Sequence, residues 1–238
     1  MNVYIWTTEL YKAYIGENPT WKPNEHTVAY RPLTATTKNT DQSWNNYTLA
    51  QTGGSFTTLW DVSCFYNGGG SSGYFNLTSW ANIPSWNAAR TISMWARPSG
   101  YHSSYSRPFL AYWRNSSAGQ PVQIWTNTVG AYRAYVNGAT LTANQTFTAN
   151  TRSLITFVVG WGSIYLYVDW VQQATTAITL NTDAISSSYP LTLMRLNTST
   201  SINYQVRWYL SEVIIEDKAW TATEIANYYN DNKAKYWL

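Results

Sequence analysis

The chain has 238 residues, a formal net charge of +3 and only 11% charged residues, against about 25% in a typical soluble domain. Its basic residues are scattered singly rather than grouped in the stripe of a nucleic-acid-binding protein, so we expect no nucleic-acid partner. Aromatic residues make up 17% of the chain, a composition that favours strands over helices. The length suits a single large β domain.

Cys64 is the only cysteine, which excludes an intrachain disulfide. The first residues, Met1 to Trp6, lack the basic region, apolar run and cleavage site of a secretory signal peptide. No apolar segment approaches the roughly 18 residues that span a bilayer, so we expect no membrane span. We therefore expect a protein that is made in the cytosol without a signal peptide.

Residues 1–25 differ from the rest of the chain. Residues 3–8 alternate as a strand does, and Asn18-Pro19 and Lys22-Pro23 then give turn and linker signals. This pattern predicts an N-terminal arm or attachment strand over 1–25, followed by one domain over 26–238. The arm is either an extra edge strand of that domain or a strand that docks on another copy, giving a homo-oligomer or larger assembly.

Short strands with turn residues between them fill the predicted domain, a pattern typical of sandwiches and barrels. The Asn137-Gly138 pair is the strongest hairpin signal. Strands are predicted at residues 28–30, 47–49, 74–77, 91–97, 109–113, 132–136, 139–142, 154–159, 164–168, 191–196 and 208–215.

One helix is predicted near the C-terminal end. Thr221 and Glu224 form a capping box, and Ile225, Tyr228 and Tyr229 then form an apolar stripe at helical spacing. We expect this helix to extend to about Asn230 and to pack on the edge of the sandwich.

Five segments in chain order resemble the motifs of concanavalin A-like, laminin G-like domains over residues 26–230. They are Val28–Leu33 with Asp41–Asn46, Ser72–Leu77, Thr91–Pro98, Tyr165–Asp169, and Tyr209–Trp220 continuing into Thr221–Ile225. The resemblance implies an all-β fold, a two-sheet antiparallel jelly-roll sandwich with one short C-terminal helix. Virion appendages often carry such lectin-like folds, so a bacteriophage virion or surface-assembly protein is one expected setting.

The resemblance also implies a structural calcium ion, because related domains often bind Ca²⁺ with oxygens from the loop after the first strand and from the last strand. Asp41 and Asn45 match the first position and Glu212 matches the second. The alternative is that Asp41 caps a turn. Some relatives are glycoside hydrolases, which need paired carboxylates, and Glu212 with Glu216 is the only strand-borne pair. Neither histidine, His26 nor His102, lies in a nucleophile motif, so we expect no catalytic residues.

Aromatic side chains flanked by Asn, Ser and Thr are the candidate ligand contacts, because sugar rings stack on aromatic faces while their hydroxyls bond to neutral polar groups. The candidates are Trp44, Trp80, Trp86, Tyr101, Tyr105, Trp113 and Trp125. The alternative for each is burial in the core. The sequence thus predicts a non-catalytic lectin-like module that recognises a glycan or cell-surface ligand. A self-assembling structural subunit is the alternative, and a glycoside hydrolase is the least favoured function.

Overall fold

A computed structural model describes residues 23–34, 41–45, 47–59, 62–67, 73–77, 82–100, 107–112, 122–136, 138–178, 182, 185, 190–195 and 208–236. Its strands form two antiparallel sheets. The first sheet contains β1 (Thr27–Arg31), β3 (Ser55–Leu59), β4 (Val62–Tyr66), β6 (Arg90–Pro98), β11 (Ser153–Gly160), β12 (Ser163–Val168), β13 (Val171–Ala177) and β15 (Trp208–Glu216). The second contains β2 (Leu49–Thr52), β5 (Tyr74–Leu77), β7 (Arg107–Tyr112), β8 (Val122–Thr126), β9 (Ala131–Val136), β10 (Ala139–Thr146) and β14 (Leu191–Leu193).

Strand order shows how the sequence crosses between the sheets. The first sheet runs β13-β12-β11-β6-β15-β4-β3, and β1 pairs with the part of β15 beyond β4. The second sheet runs β10-β9-β8-β7-β14-β5-β2. This arrangement confirms the predicted two-sheet sandwich. The predicted arm over 1–25 lies almost wholly outside the described residues.

Side-chain alternation on β6 divides the buried residues into two layers. Ile92, Met94 and Ala96 belong to the core between the sheets, while Trp95 belongs to a second apolar cluster on the opposite face. This separation follows from the period-2 alternation of side chains along a β-strand. The first sheet is therefore buried on both faces at its centre.

The C-terminal segment covers that second face. The helix α1 (Ala222–Asn232) begins at the predicted capping box and is followed by a 3-10 helix (Lys233–Tyr236). Trp95 stacks on Tyr236 with ring centroids 4.3 Å apart and donates its indole N–H to Tyr228 at 3.2 Å. Since β6 is a central strand, α1 lies over the middle of the sheet. The predicted packing on the sandwich edge is wrong, because the aromatic side chains that need cover are at the centre.

Several hairpins connect neighbouring strands by two residues each, and two of them, β9–β10 and β11–β12, contain a glycine. The predicted Asn137-Gly138 hairpin is confirmed by the β9–β10 pairing, with Gly138 at φ 78°. The β11–β12 hairpin turns at Trp161 and Gly162, whose φ angles are 53° and 72°. Positive φ at both central residues defines the type I′ turn, which matches the twist of the strands it joins.

Candidate functional site

The candidate site lies at one end of the first sheet, which we call the Arg90 end because β6 begins there at Arg90. Antiparallel pairing brings the end of β11 and the end of β15 to the same place, since Val159 pairs with Arg90 and Glu216 pairs with Thr91. The loops that adjoin these strand ends carry exposed tryptophans. Trp86 is 61% exposed and Trp44 is 68% exposed.

A buried arginine holds the loop that presents Trp86. The Arg90 guanidinium donates to the carbonyl oxygens of Pro84 at 2.9 Å, Trp86 at 2.6 Å and Ala88 at 3.0 Å. It also donates to the Thr182 hydroxyl at 2.8 Å. Arg90 and Thr182 are fully buried, so these bonds form a rigid frame beneath an exposed ring.

Thr182 completes the frame from another part of the chain. The Trp86 N–H donates to the Thr182 carbonyl at 2.6 Å, and the Thr182 hydroxyl donates to the Trp86 carbonyl at 2.9 Å. Trp86 itself has φ 52°, in the left-handed region that bulky side chains rarely adopt. Such a conformation costs of order 1–3 kcal/mol and persists where the surroundings enforce it, often at binding sites.

A buried carboxylate orders the loop that presents Trp44. Asp41 accepts hydrogen bonds from the backbone N–H groups of Tyr30 at 2.8 Å, Ser43 at 3.0 Å and Tyr47 at 3.1 Å. It also accepts from the Ser43 hydroxyl at 2.7 Å. These four donors fix the loop against β1, which leaves Trp44 pointing to solvent at its tip.

The Trp44 and Trp86 loops are joined directly. The Asn82 side-chain amide donates to the Asn45 side-chain oxygen at 3.1 Å, and Asn45 in turn donates to the Val28 carbonyl at 2.9 Å. Asn45 adjoins Trp44, and Asn82 belongs to the loop of Trp86. The two tryptophans therefore lie on linked loops at one end of the sandwich, flanked by neutral amides.

The other predicted aromatic candidates do not join this site in the described residues. Trp125 is half-buried and stacks on Tyr135 of the neighbouring strand, with ring centroids 5.9 Å apart, in the second sheet. Trp80, Tyr101, Tyr105 and Trp113 lie outside the described residues, as does His102. Sequence reasoning missed Trp161, which is 65% exposed at the Arg90 end. Its position immediately before a glycine between two alternating segments is the signal that marks it as a turn residue.

Glu212 occupies a buried cluster on the opposite face of the sheet from the inter-sheet core. Its carboxylate accepts hydrogen bonds from the hydroxyls of Tyr30 at 3.2 Å, Tyr236 at 3.1 Å and Tyr228, and pairs with Lys235 at 3.3 Å. We call these residues the tyrosine clasp. Burial, and then the Glu212 charge, raises the pKa of Tyr228 and of Tyr236 well above the ordinary value. The clasp binds the C-terminal helices to the sheet.

Glu216, the other half of the predicted strand-borne pair, has its own partners. It accepts from the Trp220 indole N–H, from the Asn24 amide at 3.2 Å and from the Thr27 hydroxyl at 3.3 Å. Burial raises the pKa of its carboxyl. Glu212 and Glu216 are 2% and 1% exposed, so neither lines an open cleft of the kind in which a glycosidase holds its carboxylates.

The residues predicted to bind calcium are engaged by protein donors. Both Asp41 oxygens order the Trp44 loop, which matches the turn-capping alternative, and Glu212 is enclosed by the clasp. Tyr30 links the two, since its N–H bonds to Asp41 and its hydroxyl bonds to Glu212. Among the described residues, no group of three or more His, Cys, Asp or Glu side chains could hold a metal ion. Calcium binding stays a prediction, which the melting temperature in calcium and in EDTA would check.

The fold and the site together define a jelly-roll sandwich that presents tryptophans on ordered loops at one end. A family model described as the concanavalin A-like lectin/glucanases superfamily matches residues 67–226. The chain belongs to this family, which confirms the resemblance seen in the sequence. No curated protein sequence is significantly similar to the chain.

Several solved structures share the fold. The binding domain of Paraclostridial Mosquitocidal Protein 1 is 16% identical, with a TM-score of 0.68 over 87% of this chain and 52% of that one. A structure of botulinum neurotoxin type C, a toxin whose cell entry depends on interaction with two ganglioside molecules, is 15% identical. Its TM-score is 0.64 over 87% of this chain and 51% of that one. Domain 4 of the Geobacillus stearothermophilus arabinanase AbnA, in complex with arabinotriose, is 11% identical, with a TM-score of 0.64 over 85% and 98%. The chain thus spans about half of the toxin structures and nearly all of the arabinanase domain. No helix among the described residues has the length and apolar character needed to cross a membrane.

Proposed function

We propose that the chain is a non-catalytic glycan-binding module whose ligand contacts the Arg90 end. The observation that carries this proposal is the pair of exposed tryptophans, Trp44 and Trp86, on loops that buried polar residues hold in place. Exposed apolar side chains that are grouped on one surface commonly mark a binding site.

The chemistry around the two rings favours a sugar over a charged ligand. A sugar ring presents C–H groups that pack on an aromatic face and hydroxyls that need neutral donors and acceptors. Asn45 and Asn82 supply amide groups between the loops, and Asn87 is exposed beside Trp86. A preformed loop loses little conformational entropy on binding, so the frame around Arg90 favours affinity.

The structural neighbours support the same class of ligand. The arabinanase domain matches this chain over nearly its whole length and was solved with an oligosaccharide, and the type C toxin depends on gangliosides. At these low identities the likeness establishes the fold alone. The saccharide ligands of these two proteins support the proposal by analogy of fold.

The experiment is a glycan array that includes gangliosides and arabino-, xylo- and cello-oligosaccharides. We expect the wild-type chain to bind at least one class and Trp86→Ala to lower its affinity about tenfold or more, as loss of a central aromatic contact does. The matched control is Trp170→Ala, which removes a 52% exposed tryptophan at the opposite end of β12. Equal loss in both variants, or no binding by well-folded wild type, contradicts the proposal.

The setting that we propose for this module is a virion or surface assembly, with copies joined through residues 1–25. Light scattering of the full chain, of a variant lacking residues 1–20 and of Trp86→Ala distinguishes assembly through the arm from self-association through the Arg90 end. A fixed oligomer that dissociates on deletion supports the assembly role of the arm. An oligomer that dissociates in Trp86→Ala instead identifies the Arg90 end as a self-association surface and contradicts the glycan proposal.

A further inference from the structure

We propose that Trp161 is a third aromatic platform of the glycan site, so that the ligand is an extended oligosaccharide crossing the Arg90 end. This inference rests on the proposed function and adds the size of the ligand to it. Trp161 was not among the candidates that the sequence indicated, and it occupies a different loop from Trp44 and Trp86.

The strand order places the three rings across one end of the sheet. Trp161 lies in the turn between β11 and β12, and the Trp86 loop leads into β6. The Trp44 loop is hydrogen-bonded to β1 at Tyr30. The order of these elements is β12, β11, β6, β15, β1 and the Trp44 loop. At about 4.8 Å per strand, the distance from the Trp161 turn to the Trp44 loop is on the order of 20 Å. A single sugar ring is too short to contact both sides of such a surface.

The residue type at Trp161 is unfavourable for its turn. Type I′ turns favour Asn or Gly at their first central position, because φ is positive there and a bulky side chain is strained. The β9–β10 hairpin uses the favoured Asn137-Gly138 pair, whereas the β11–β12 hairpin uses Trp161-Gly162. The chain therefore accepts a local cost at Trp161.

The Trp161 side chain adds little core packing that could offset the strain of its backbone conformation. Trp161 is 65% exposed, and its ring makes an edge contact with the Tyr165 ring, with centroids 6.0 Å apart and the ring planes at 73°. The turn is well fixed nonetheless, because Gly160 lies so close to Ala219 that an added Cβ would be 2.5 Å from the Ala219 Cβ. A strained, exposed ring on a fixed turn at the same end of the sheet as two other exposed tryptophans has the features of a binding platform.

Trp161→Asn tests this inference because it restores the favoured Asn-Gly turn. We expect the melting temperature to rise by about 2–4 °C, as relief of local strain does in a chain of this size. Binding is measured by titration calorimetry with the disaccharide and the hexasaccharide of the arabino, xylo and cello series. We expect affinity for a hexasaccharide to fall about tenfold while affinity for the disaccharide stays within about twofold.

The matched control is Trp170→Asn, which changes the other turn of the same strand, β12, at the far end of the sheet. It should leave affinity for both probes unchanged. If the wild-type chain binds a probe and Trp161→Asn binds it equally well, this inference alone is overturned. If Trp161→Asn loses the same affinity for the disaccharide as for the hexasaccharide, the ligand is not an extended one. Absence of binding to any series by wild type overturns the proposed function and this inference together.

Discussion

Trp95 and Trp86 lie on one short segment of chain, yet their surroundings are opposite. Trp95 is fully buried, stacks on Tyr236 and donates its indole N–H to Tyr228. Trp86 is 61% exposed, and its loop is held from below by Arg90. The same residue type therefore stabilises the fold on the helix-covered face and remains available to a ligand at the Arg90 end.

The polar groups of the two regions differ in the same way. On the helix-covered face, the charge of Glu212 is buried among hydroxyls that belong to the fold. At the Arg90 end, the buried charge of Arg90 is directed to carbonyl oxygens of the loop that it shapes. Substitutions in the tyrosine clasp should therefore change stability more than binding, while substitutions beneath Trp86 should change both.

The largest effect is expected in the tyrosine clasp. Glu212→Ala removes the acceptor of three buried hydroxyls, and each hydroxyl left without a partner costs roughly 1–3 kcal/mol. We expect the free energy of unfolding in urea to fall by about 3 kcal/mol or more. The control Asp231→Ala, at an exposed site on α1, should change this free energy by less than about 0.5 kcal/mol. An equal, small effect of both variants would show that the clasp contributes little.

An intermediate effect is expected at Arg90. Arg90→Lys keeps the charge but loses the planar fork that reaches the carbonyls of Pro84, Trp86 and Ala88. We expect unfolding free energy to fall by about 1–3 kcal/mol and glycan affinity to fall severalfold, because the Trp86 loop is no longer fixed. Calorimetry and urea titration measure the two effects. Arg133→Lys, in the second sheet, is the control, and unchanged affinity in Arg90→Lys would contradict the role of the frame.

The smallest effect concerns pH. Burial raises the pKa of Glu216 above the ordinary value of 4.5, so the folded state holds this proton more tightly than the unfolded state. The resulting stability is present below pH 4.5 and is lost as the pH rises through the raised pKa. Glu216→Gln should flatten this part of the stability profile, measured by urea unfolding between about pH 4 and pH 8. The control Asp231→Asn should keep the wild-type dependence of stability on pH. If Glu216→Gln also keeps it, this pH dependence does not come from Glu216.

Local patterns predicted much of the fold. Alternation located β6, β11, β12 and β15, and the Thr221 capping box located the start of α1. The edge strand β13 was not predicted, because its sequence, Val-Gln-Gln-Ala-Thr-Thr-Ala, is mostly polar and its apolar alternation is weak. Its pairing with β12 comes from the tertiary fold rather than from its own residues.

The candidate site was predicted only in part for a related reason. Composition and flanking residues singled out Trp44 and Trp86, but exposure and the link between their loops depend on contacts distant in sequence, such as Arg90 with Thr182. The same holds for Glu212, because its three hydroxyl donors come from β1 and from the C-terminal helices, which are distant from it in sequence or in separate elements. No local spacing encodes such clusters.

The central place of β15 has a consequence for how the molecule acquires its structure. This strand joins β6 on one side to β1 and β4 on the other, and Thr27 bonds to Glu216, which is 189 positions away in the sequence. Contacts between residues so far apart in the sequence slow folding. Because β15 lies between β6 and β4, the β13-β12-β11-β6 part of the first sheet can be joined to β4 and β3 only after residues 208–216 have been synthesised.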